Sequence, residues 1–345
     1  MITLKNLAEI TGYSIGTISR VLNNDKTLRT SEETRNIIKT VAKSSGYKTL
    51  QSKKSRLKSK TSSPIKNCIG IIETTNIQEH VLDPYYLYLK GFVEQECFNK
   101  KIETIKIQYD AKKEKYISGS NKKIDGAVVI GHFSHKEFES MEKLTKNLIF
   151  LESYPEGKDY SCVISDLILG VKKGINYLIG KNHKSIGFAG PEYVLNLFGE
   201  TRHELRKTFF LKYLNKKNLS DNTILLECEL TVDSAAQAMK KFMESKRKLP
   251  SVFFAVNENV AVGLLNTLKE HNIKVPEDVS ILSFNNSVFS GFVEPPLSSI
   301  DTNSEYMAKT AVELLIKQAG LKSYVPMKVL VSPSVIERQS VMELK

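Results

Sequence analysis

The chain has 345 residues, 41% of them hydrophobic and 26% charged, which is enough for two or three globular domains. It holds no run of 18 apolar residues and no basic segment leading into an apolar core near Met1, so we expect a cytoplasmic protein with no transmembrane helix or secretory signal and no membrane partner. Of the net charge of +12, residues 1–66 carry +10, a distribution typical of an arm that binds nucleic acid, although a solvated lysine-rich tail would carry the same charge.

Residues 1–47 predict a domain of three short helices. Thr3 is the expected N-cap of the first helix, which Gly12 ends, and Ser14 is the expected N-cap of a second helix that runs to about Asn23. A capping box from Thr30 to Glu33 opens the third helix. A glycine turn between the first two helices favours a helix-turn-helix over a plain three-helix bundle.

Residues 48–66 predict a basic linker or hinge without a core of its own. The segment contains seven basic residues, no acidic residue and several serines.

Residues 67–345 predict an α/β region. Short apolar runs are expected as strands at 68–72, 102–107, 126–130, 148–151, 185–189, 223–226, 252–256 and 279–284. Amphipathic helices are expected near 85–99, 136–146, 167–181, 202–217, 233–246, 258–271 and 304–319. Strands that alternate with helices are typical of parallel sheets covered on both faces, and so many strands suit a pair of doubly wound subdomains.

The segment from Leu4 to Asn23, LKNLAEITGYSIGTISRVLN, resembles the signature of the lactose/galactose repressor (LacI/GalR) family of bacterial regulators. The resemblance continues through Thr34-Arg35 to Gly46-Tyr47. It implies a homodimer that binds double-stranded operator DNA through the helix-turn-helix. It also implies that residues 67–345 form a periplasmic-binding-protein-like effector and dimerisation domain, with subdomain crossings near 163–166, 292–296 and 324–327.

The resemblance also assigns DNA-binding positions. It implies base reading by Ile15, Gly16 and Arg20, and the last of these has the donors for guanine O6 and N7. Contacts to phosphates, or support for them, are implied for Thr3, Ser14, Thr17, Ser19 and Asn23. The remaining DNA-binding candidates are Tyr47, Leu50 and Leu57.

The chain departs from the family pattern at several points. Asn6 stands where an acid is usual, and Tyr13 stands where Val is usual. The family's hinge helix, which follows a Pro-Asn pair and inserts a leucine into the minor groove, has no clear counterpart in residues 48–57. Leu50 or Leu57 is a candidate wedge, and the alternative is that the segment binds by its charge alone.

Effector-binding candidates follow predicted strands or match family segments. Glu152 and Asn257 end strands, Asn285 lies in a Ser-Phe-Asn-Asn motif where the family has two acids, and Arg206 lies in a segment like the family's Arg-x-x-Gly-Phe. Asp166 is a weaker candidate near the first crossing. Strand-end Asn and Asp also cap helices or form turns, so each position has a structural alternative.

Asparagines in place of acids favour a neutral polyol over a cation as the ligand. The run from Asn24 to Arg35, the unusual hinge and the Ser-Phe-Asn motif resemble a subgroup that regulates galactose or galactoside operons. The resemblance thus implies a repressor that a galactosyl sugar releases from DNA. The alternative is a ligand that acts as a corepressor and tightens DNA binding.

Other function classes have weaker signals. The pair His132 and His135 lacks the further ligands of a metal site, the four cysteines are too far apart for a metal or disulfide pattern, and no nucleotide-loop or hydrolase motif is present. We therefore expect no enzyme activity, metal or cofactor. A sugar-transport protein is disfavoured by the helix-turn-helix and the missing secretory signal.

Overall fold

The computed structural model describes residues 3–23, 25, 27–45, 65, 68–73, 84–110, 112–131, 133, 135–153, 159–195, 201–221, 223–321 and 323–345. The chain divides into two compact units, residues 1–63 and residues 64–345. Tyr47, Leu50, Leu57 and His132 lie outside the described residues, so their predicted roles stay predictions.

The first unit contains three helices, α1 (Leu4–Thr11), α2 (Ile15–Leu22) and α3 (Glu32–Ser44). They enclose a small core formed by Leu7, Ile18, Val21, Ile38 and Ala42. The predicted helix-turn-helix fold is confirmed. Burying one apolar face of each short helix provides the stability that helices of this length lack in isolation.

Side chains at the helix ends explain where these helices begin. Thr3 and Asn6 form a reciprocal capping box, in which the Asn6 N–H donates to Thr3 Oγ1 at 3.3 Å and the Thr3 N–H donates to Asn6 Oδ1 at 3.0 Å. Asn6 therefore makes the capping contact that an acidic side chain would make at this position. The third helix begins one residue later than predicted, because Ser31 rather than Thr30 accepts the capping hydrogen bond, from the Thr34 N–H.

The second unit alternates strands with helices. Its helices are α4 (Tyr85–Asn99), α5 (His135–Leu144), α6 (Leu167–Gly180), α7 (Leu205–Lys216), α8 (Val232–Glu244), α9 (Glu258–Glu270) and α10 (Ser304–Ala319), with a 3₁₀ helix at Val288–Gly291. Its strands are β1 (Cys68–Glu73), β2 (Glu103–Asp110), β3 (Lys115–Ser118), β4 (Ile124–Ile130), β5 (Leu148–Leu151), β6 (Ser161–Ser165), β7 (Ile186–Gly190), β8 (Tyr193–Leu195), β9 (Thr201–His203), β10 (Leu225–Glu227), β11 (Val252–Ala255), β12 (Ser280–Asn285), β13 (Ser298–Asp301), β14 (Lys328–Val331) and β15 (Ser334–Ile336).

Two sheets organise this unit, and both are parallel except at one edge. The first has the order β14-β6-β5-β4-β1-β2-β3, with β3 antiparallel to β2. The second has the order β10-β7-β11-β12-β13-β15, with β15 antiparallel to β13. Strands β8 and β9 form a separate hairpin. The predicted pair of doubly wound subdomains is confirmed.

Helices cover both faces of the first sheet. Along β4, Val128 and Ile130 pack in the core that α4 and α10 cover, whereas Ala127 and Val129 pack in the core that α5 covers. Alternate side chains on one strand thus enter different cores, so the strand is apolar along its length. This is why continuous apolar runs identified the central strands, while the shorter or more polar β3, β6, β8, β9 and β13 to β15 were missed.

The chain crosses between the two sheets three times. It leaves the first sheet after Ser165, returns between Asp301 and α10, which packs on the first sheet, and crosses again between Val331 and Ser334. The second and third crossings therefore lie later than the predicted 292–296 and 324–327. The predictions were wrong there because β13 and β14 were not recognised as strands of different sheets.

Helix α6 packs unusually close to the second sheet. A Cβ atom at Gly174 would lie 2.5 Å from Cε2 of Phe254 and 3.2 Å from Cδ1 of Ile300, and both of these side chains are buried. Glycine at this position is therefore required by the close approach of the helix backbone to the sheet.

Replacing Gly174 with alanine is expected to lower the free energy of unfolding by about 1–3 kcal/mol, because the added methyl overpacks the core. Urea denaturation followed by circular dichroism measures this. Gly91→Ala is the matched control, since Gly91 is also inside a helix but has open space around it. That substitution is expected to stabilise the protein by about 0.5–1 kcal/mol. Equal effects of the two substitutions would contradict the packing argument.

Candidate functional site

The outer face of α2 presents the predicted DNA-reading residues to solvent. Ser14, Ile15, Gly16, Arg20 and Asn23 are exposed, whereas Ile18 and Val21 on the opposite face are buried. Because the helix begins at Ser14, its N-terminal end and first exposed side chains lie together, as a helix that enters the major groove requires.

The hydroxyls near this end of α2 already make hydrogen bonds within the protein, some of which cap the helices. The Ser14 hydroxyl accepts a hydrogen bond from the Thr17 N–H at 3.1 Å and lies 2.9 Å from the Thr17 hydroxyl. Thr3 caps α1, and the Asn23 amide donates to the Ser19 hydroxyl at 3.5 Å. These contacts give the predicted phosphate-contacting residues a structural role in the free protein.

Arg20 is held by the segment that follows α2. Its Nε donates to Asp25 Oδ2 at 2.7 Å, and its Nη2 donates to Thr27 Oγ1 at 2.9 Å. The side chain is nevertheless 48% exposed. Asp25 and Thr27 were not among the sequence-predicted site residues.

A second polar site lies where strands of the two sheets in the second unit end. Glu152 follows β5 with a left-handed φ of 62°. Its Oε1 accepts a hydrogen bond from the Tyr85 hydroxyl at 2.8 Å and a longer one from the Ser165 N–H at 3.4 Å. Tyr85 is the first residue of α4 and is buried. The carboxylate is therefore hydrogen-bonded by residues of α4 and β6, two other elements of the first subdomain.

Desolvation raises the pKa of Glu152 to about 7, although hydrogen bonds from Tyr85 and Ser165 and the charge of Arg206 oppose the shift. Burial and the neighbouring carboxylate also raise the pKa of Tyr85 well above its ordinary range. Glu152 therefore carries a proton for part of the time at neutral pH, and its carboxyl group is able to donate as well as accept a hydrogen bond.

The site extends to the second sheet through Thr302. The Thr302 hydroxyl hydrogen-bonds to the Tyr85 oxygen and lies 3.5 Å from the carbonyl oxygen of Asn285. Thr302 follows β13 at the second crossing between the sheets. The hydrogen bonds from Thr302 to Tyr85 and from Tyr85 to Glu152 form a polar network that links the crossing after β13 to the end of β5, and the main-chain carbonyl of Asn285 lies beside it.

The two asparagines that end β12 have different environments. The Asn286 side chain accepts a hydrogen bond from Arg338 at 2.8 Å. The Asn285 side chain has no hydrogen-bond partner among the described residues, although Asn285 is only 7% exposed and has a φ of 90°. Its amide is therefore available to a ligand, whereas that of Asn286 already has a structural partner.

Two buried hydroxyls next to Glu152 are also unsatisfied. Ser153 Oγ and Ser165 Oγ have no hydrogen-bond partner within the described part of the chain. Buried polar groups are normally paired, so these two hydroxyls, which are closed to solvent, are exceptions, and the Asn285 amide, on a residue that keeps 7% exposure, is better placed to bind a polar molecule.

Arg206 lies in the first turn of α7, next to the carboxyl end of β11. Its Nε donates to Glu204 Oε1 at 2.7 Å, its Nη1 donates to the Val256 carbonyl at 2.8 Å, and its guanidinium lies 5.4 Å from the centre of the Phe284 ring. These contacts fix its plane, and no acceptor among the described residues takes its further N–H groups, which are able to donate to a ligand. Arg206 is close enough to Glu152 for its positive charge to act on the pKa of that carboxyl group, which it lowers.

The other two predicted effector residues act as helix caps. Asn257 is buried and accepts a hydrogen bond from the Val260 N–H at 2.9 Å, which caps α9. Asp166 accepts one from the Leu169 N–H at 2.9 Å, which caps α6. These are the structural alternatives that strand-end Asn and Asp left open, and their contact with a ligand stays a prediction.

Tyr85, Ser153, Ser165 and Thr302 were missed by sequence reasoning. Tyr85 resembles an ordinary apolar helix residue, and Thr302 follows a strand that was not predicted. Ser165 precedes the predicted Asp166 and was the nearest available signal. Among the described residues, no cluster of three or more His, Cys, Asp or Glu is placed to hold a metal ion, and no helix is both long and apolar enough to cross a membrane.

Sequence comparison identifies relatives of both units. Residues 3–49 match the model for bacterial regulatory proteins of the lacI family, and residues 175–341 match a periplasmic binding protein-like domain. The HTH-type transcriptional regulator GalR of Streptococcus thermophilus is 31% identical over 92% of this chain and 93% of its own length. GanR of Bacillus subtilis is 30% identical over 99% of both chains.

Structure comparison gives the same fold. A solved complex of the transcriptional regulator CelR with cellobiose matches with a TM-score of 0.62 at 19% identity, covering 99% of this chain and all of the other.

The raised pKa of Glu152 predicts a pH dependence of stability. A folded-state pKa of about 7, above the ordinary value of 4.5, contributes stability that is present below pH 4.5 and lost as pH rises through 7. Glu152→Gln resembles the protonated form, so at pH 8 it is expected to be more stable than the wild type by about 2–3 kcal/mol, with similar stability at pH 5. Urea denaturation from pH 5 to pH 8 measures the difference.

Glu94→Gln is the control, because it removes an exposed carboxylate from α4. It is expected to follow the wild type across the pH range. A Glu152→Gln curve parallel to that of the wild type would show that burial does not act on this carboxylate as described.

Proposed function

The chain belongs to the lacI family of bacterial regulatory proteins, and on that premise we propose that it is a cytoplasmic repressor released from operator DNA by a sugar. The observation that carries the proposal is the polar network that runs from Glu152 through Tyr85 to Thr302 and so links the two sheets, with the main-chain carbonyl of Asn285 3.5 Å from the Thr302 hydroxyl. A ligand that bonds to both ends of this network binds both subdomains at once, and its binding therefore depends on how they are arranged.

The DNA-binding side of the proposal rests on α2. Two copies of the chain place two such helices in half-sites related by a two-fold axis. Arg20 donates to a guanine, Ile15 makes apolar contact with a base, and the hydroxyls and helix ends hold phosphates. The high positive charge of residues 1–66 adds attraction to the DNA backbone that is independent of sequence.

The ligand side rests on the groups that lack partners. The Asn285 amide offers both a donor and an acceptor, and Arg206 adds fixed N–H donors. Adjacent hydroxyls of a sugar donate and accept in the same way, so a neutral polyol satisfies this set better than an ion does. The cellobiose held by the CelR complex supports a sugar as the ligand class.

We propose galactose or a galactoside as the sugar. The support is the resemblance of the run from Asn24 to Arg35 and of the Ser283-Phe284-Asn285 motif to regulators of galactose or galactoside operons. Sugar binding shifts the population towards an arrangement of the dimer that binds DNA less well, and a coupling of about 1–3 kcal/mol is sufficient for regulation. The second candidate is a corepressor, for which the coupling has the opposite sign.

Fluorescence anisotropy on labelled DNA from the region upstream of the protein's own gene tests this function. The titration is made at fixed salt, alone and with galactose, methyl β-galactoside, glucose, ribose or cellobiose. Weaker binding with the galactosyl sugars only is the expected result. Tighter binding would favour the corepressor, and indifference to every sugar would contradict the ligand assignment while leaving DNA binding intact.

Asn285→Gly is expected to raise the sugar concentration for half-maximal release about tenfold, because one or two hydrogen bonds to the sugar are lost. Glycine accepts the positive φ of this position, so the backbone is not strained. The affinity for DNA without sugar is expected to be unchanged, and the same anisotropy assay measures both quantities.

Asn218→Gly is the matched control. Asn218 is also at a positive φ, of 56°, but is exposed in the turn at the opposite end of α7 from Arg206. This variant is expected to respond to sugar like the wild type. An unchanged response of Asn285→Gly would remove Asn285 from the ligand site.

A further inference from the structure

Asp25 is linked to the predicted base-reading arginine by a direct charged hydrogen bond. Arg20 Nε donates to Asp25 Oδ2 at 2.7 Å, while Arg20 Nη2 donates to Thr27 Oγ1 at 2.9 Å. Both partners come from the connection between α2 and α3, and the arginine lies on the exposed face of α2.

Asp25 is itself fixed by Thr27. Its Oδ1 accepts hydrogen bonds from the Thr27 N–H at 2.8 Å and from the Thr27 hydroxyl at 2.7 Å. Hydrogen bonds from Thr27 and Arg20 hold the pKa of Asp25 well below its ordinary range. The carboxylate therefore stays charged at any physiological pH, and its ion pair with Arg20 does not depend on pH across that range.

The connection is anchored to the third helix by Arg35. Arg35 Nη2 donates to the Leu28 carbonyl at 2.6 Å and lies 3.4 Å from the Asp25 carbonyl. Leu28 packs against the core of the three helices. A continuous series of contacts thus runs from the core through Leu28 and Arg35 to Asp25 and on to Arg20.

These contacts leave the end of the guanidinium free. An arginine side chain has five N–H donors. Asp25 and Thr27 take one donor each, from Nε and Nη2, on one side of the group. Within the described part of this unit no acceptor takes the Nη1 donors, so the Nη1 and Nη2 edge remains able to donate to O6 and N7 of one guanine.

We infer that Asp25 is a positioning residue for base reading: it orients the guanidinium of Arg20 so that the free edge meets a guanine in the major groove. This inference rests on the proposed function, in which Arg20 reads DNA. Holding the long side chain before DNA arrives reduces the conformational entropy lost on binding. Thr27 supports the arrangement by fixing both Asp25 and Arg20.

The opposite role, in which Asp25 withholds Arg20 from DNA, fits the geometry less well. The carboxylate occupies the side of the guanidinium that end-on guanine recognition does not use. A withholding role predicts that removing the charge tightens specific binding, whereas positioning predicts that it weakens specific binding.

In vitro selection from a randomised DNA duplex pool tests the inference with the full-length wild type and with Arg20→Ala, Asp25→Asn and Glu9→Gln. Glu9→Gln is the matched control, because it removes a negative charge from an exposed site on α1. The wild type is expected to select a sequence with a fixed guanine that Arg20→Ala no longer selects. Asp25→Asn is expected to relax selection at that same guanine and nowhere else, and Glu9→Gln is expected to select like the wild type.

Anisotropy on the selected duplex and on a scrambled duplex gives the magnitude. Asp25→Asn is expected to lower the ratio of specific to non-specific affinity about threefold to tenfold. Its non-specific affinity should be equal to or above that of the wild type, since a negative charge is removed. A variant that merely failed to fold would lose both affinities. In the Arg20→Ala background, Asp25→Asn should cause no further loss of the ratio.

The outcomes separate the inference from the function on which it rests. Loss of the guanine with Arg20→Ala but an unchanged selection with Asp25→Asn would overturn the positioning role and leave base reading intact. Tighter specific binding by Asp25→Asn would overturn it in favour of withholding. A wild type that enriches no sequence would overturn the proposed function itself, and the inference with it.

Discussion

The hydrogen bond from the Tyr85 hydroxyl to the Glu152 carboxylate is the contact on which the ligand site depends. It holds a largely desolvated carboxyl group at the end of β5. The Tyr85 oxygen also accepts a hydrogen bond from Thr302, which lies beside the main chain of Asn285 at the end of β12. The chain passes between the two sheets at Thr302, so a polar network that includes this residue depends on the arrangement of both sheets. In the proposed function, a sugar that makes only modest hydrogen bonds acts on both subdomains because it binds to this network.

Both functional regions are held in position before they bind. In the second unit, Arg206 is fixed by Glu204 and the Val256 carbonyl. On the first unit, Arg20 is fixed by Asp25 and Thr27. In each case a carboxylate accepts the hydrogen bond from the arginine Nε, and other N–H donors have no acceptor among the described residues. Orienting a guanidinium in this way reduces the entropy lost on binding and makes its recognition of a base or a hydroxyl depend on direction.

The sequence was sufficient for the fold and for part of the sites. Apolar runs and helical periodicity predicted the central strands and the main helices, because strands covered on both faces and helices with one buried face leave clear patterns. Glu152 and Arg206 were predicted as site residues, and the charge of Arg206 acts to lower the pKa of Glu152, but their contact with a ligand stays a prediction. The sequence could not separate Asn285 from Asn286, since only the packing of Arg338 decides which amide is occupied. Thr302 and Tyr85 could not be predicted either, because they are far apart in the chain and only the fold brings them into contact.

The reciprocity of binding tests the central claim, that a sugar in the cleft and DNA on α2 bias the same equilibrium. Isothermal titration calorimetry measures the affinity for galactose or methyl β-galactoside on the free protein and on the protein saturated with the DNA duplex that it selects. If the sugar weakens DNA binding by some factor, the DNA must weaken sugar binding by the same factor. The account predicts that the sugar binds the DNA complex about tenfold more weakly than the free protein. Equal sugar affinity in the two states would contradict it, because the cleft would then have no coupling to DNA.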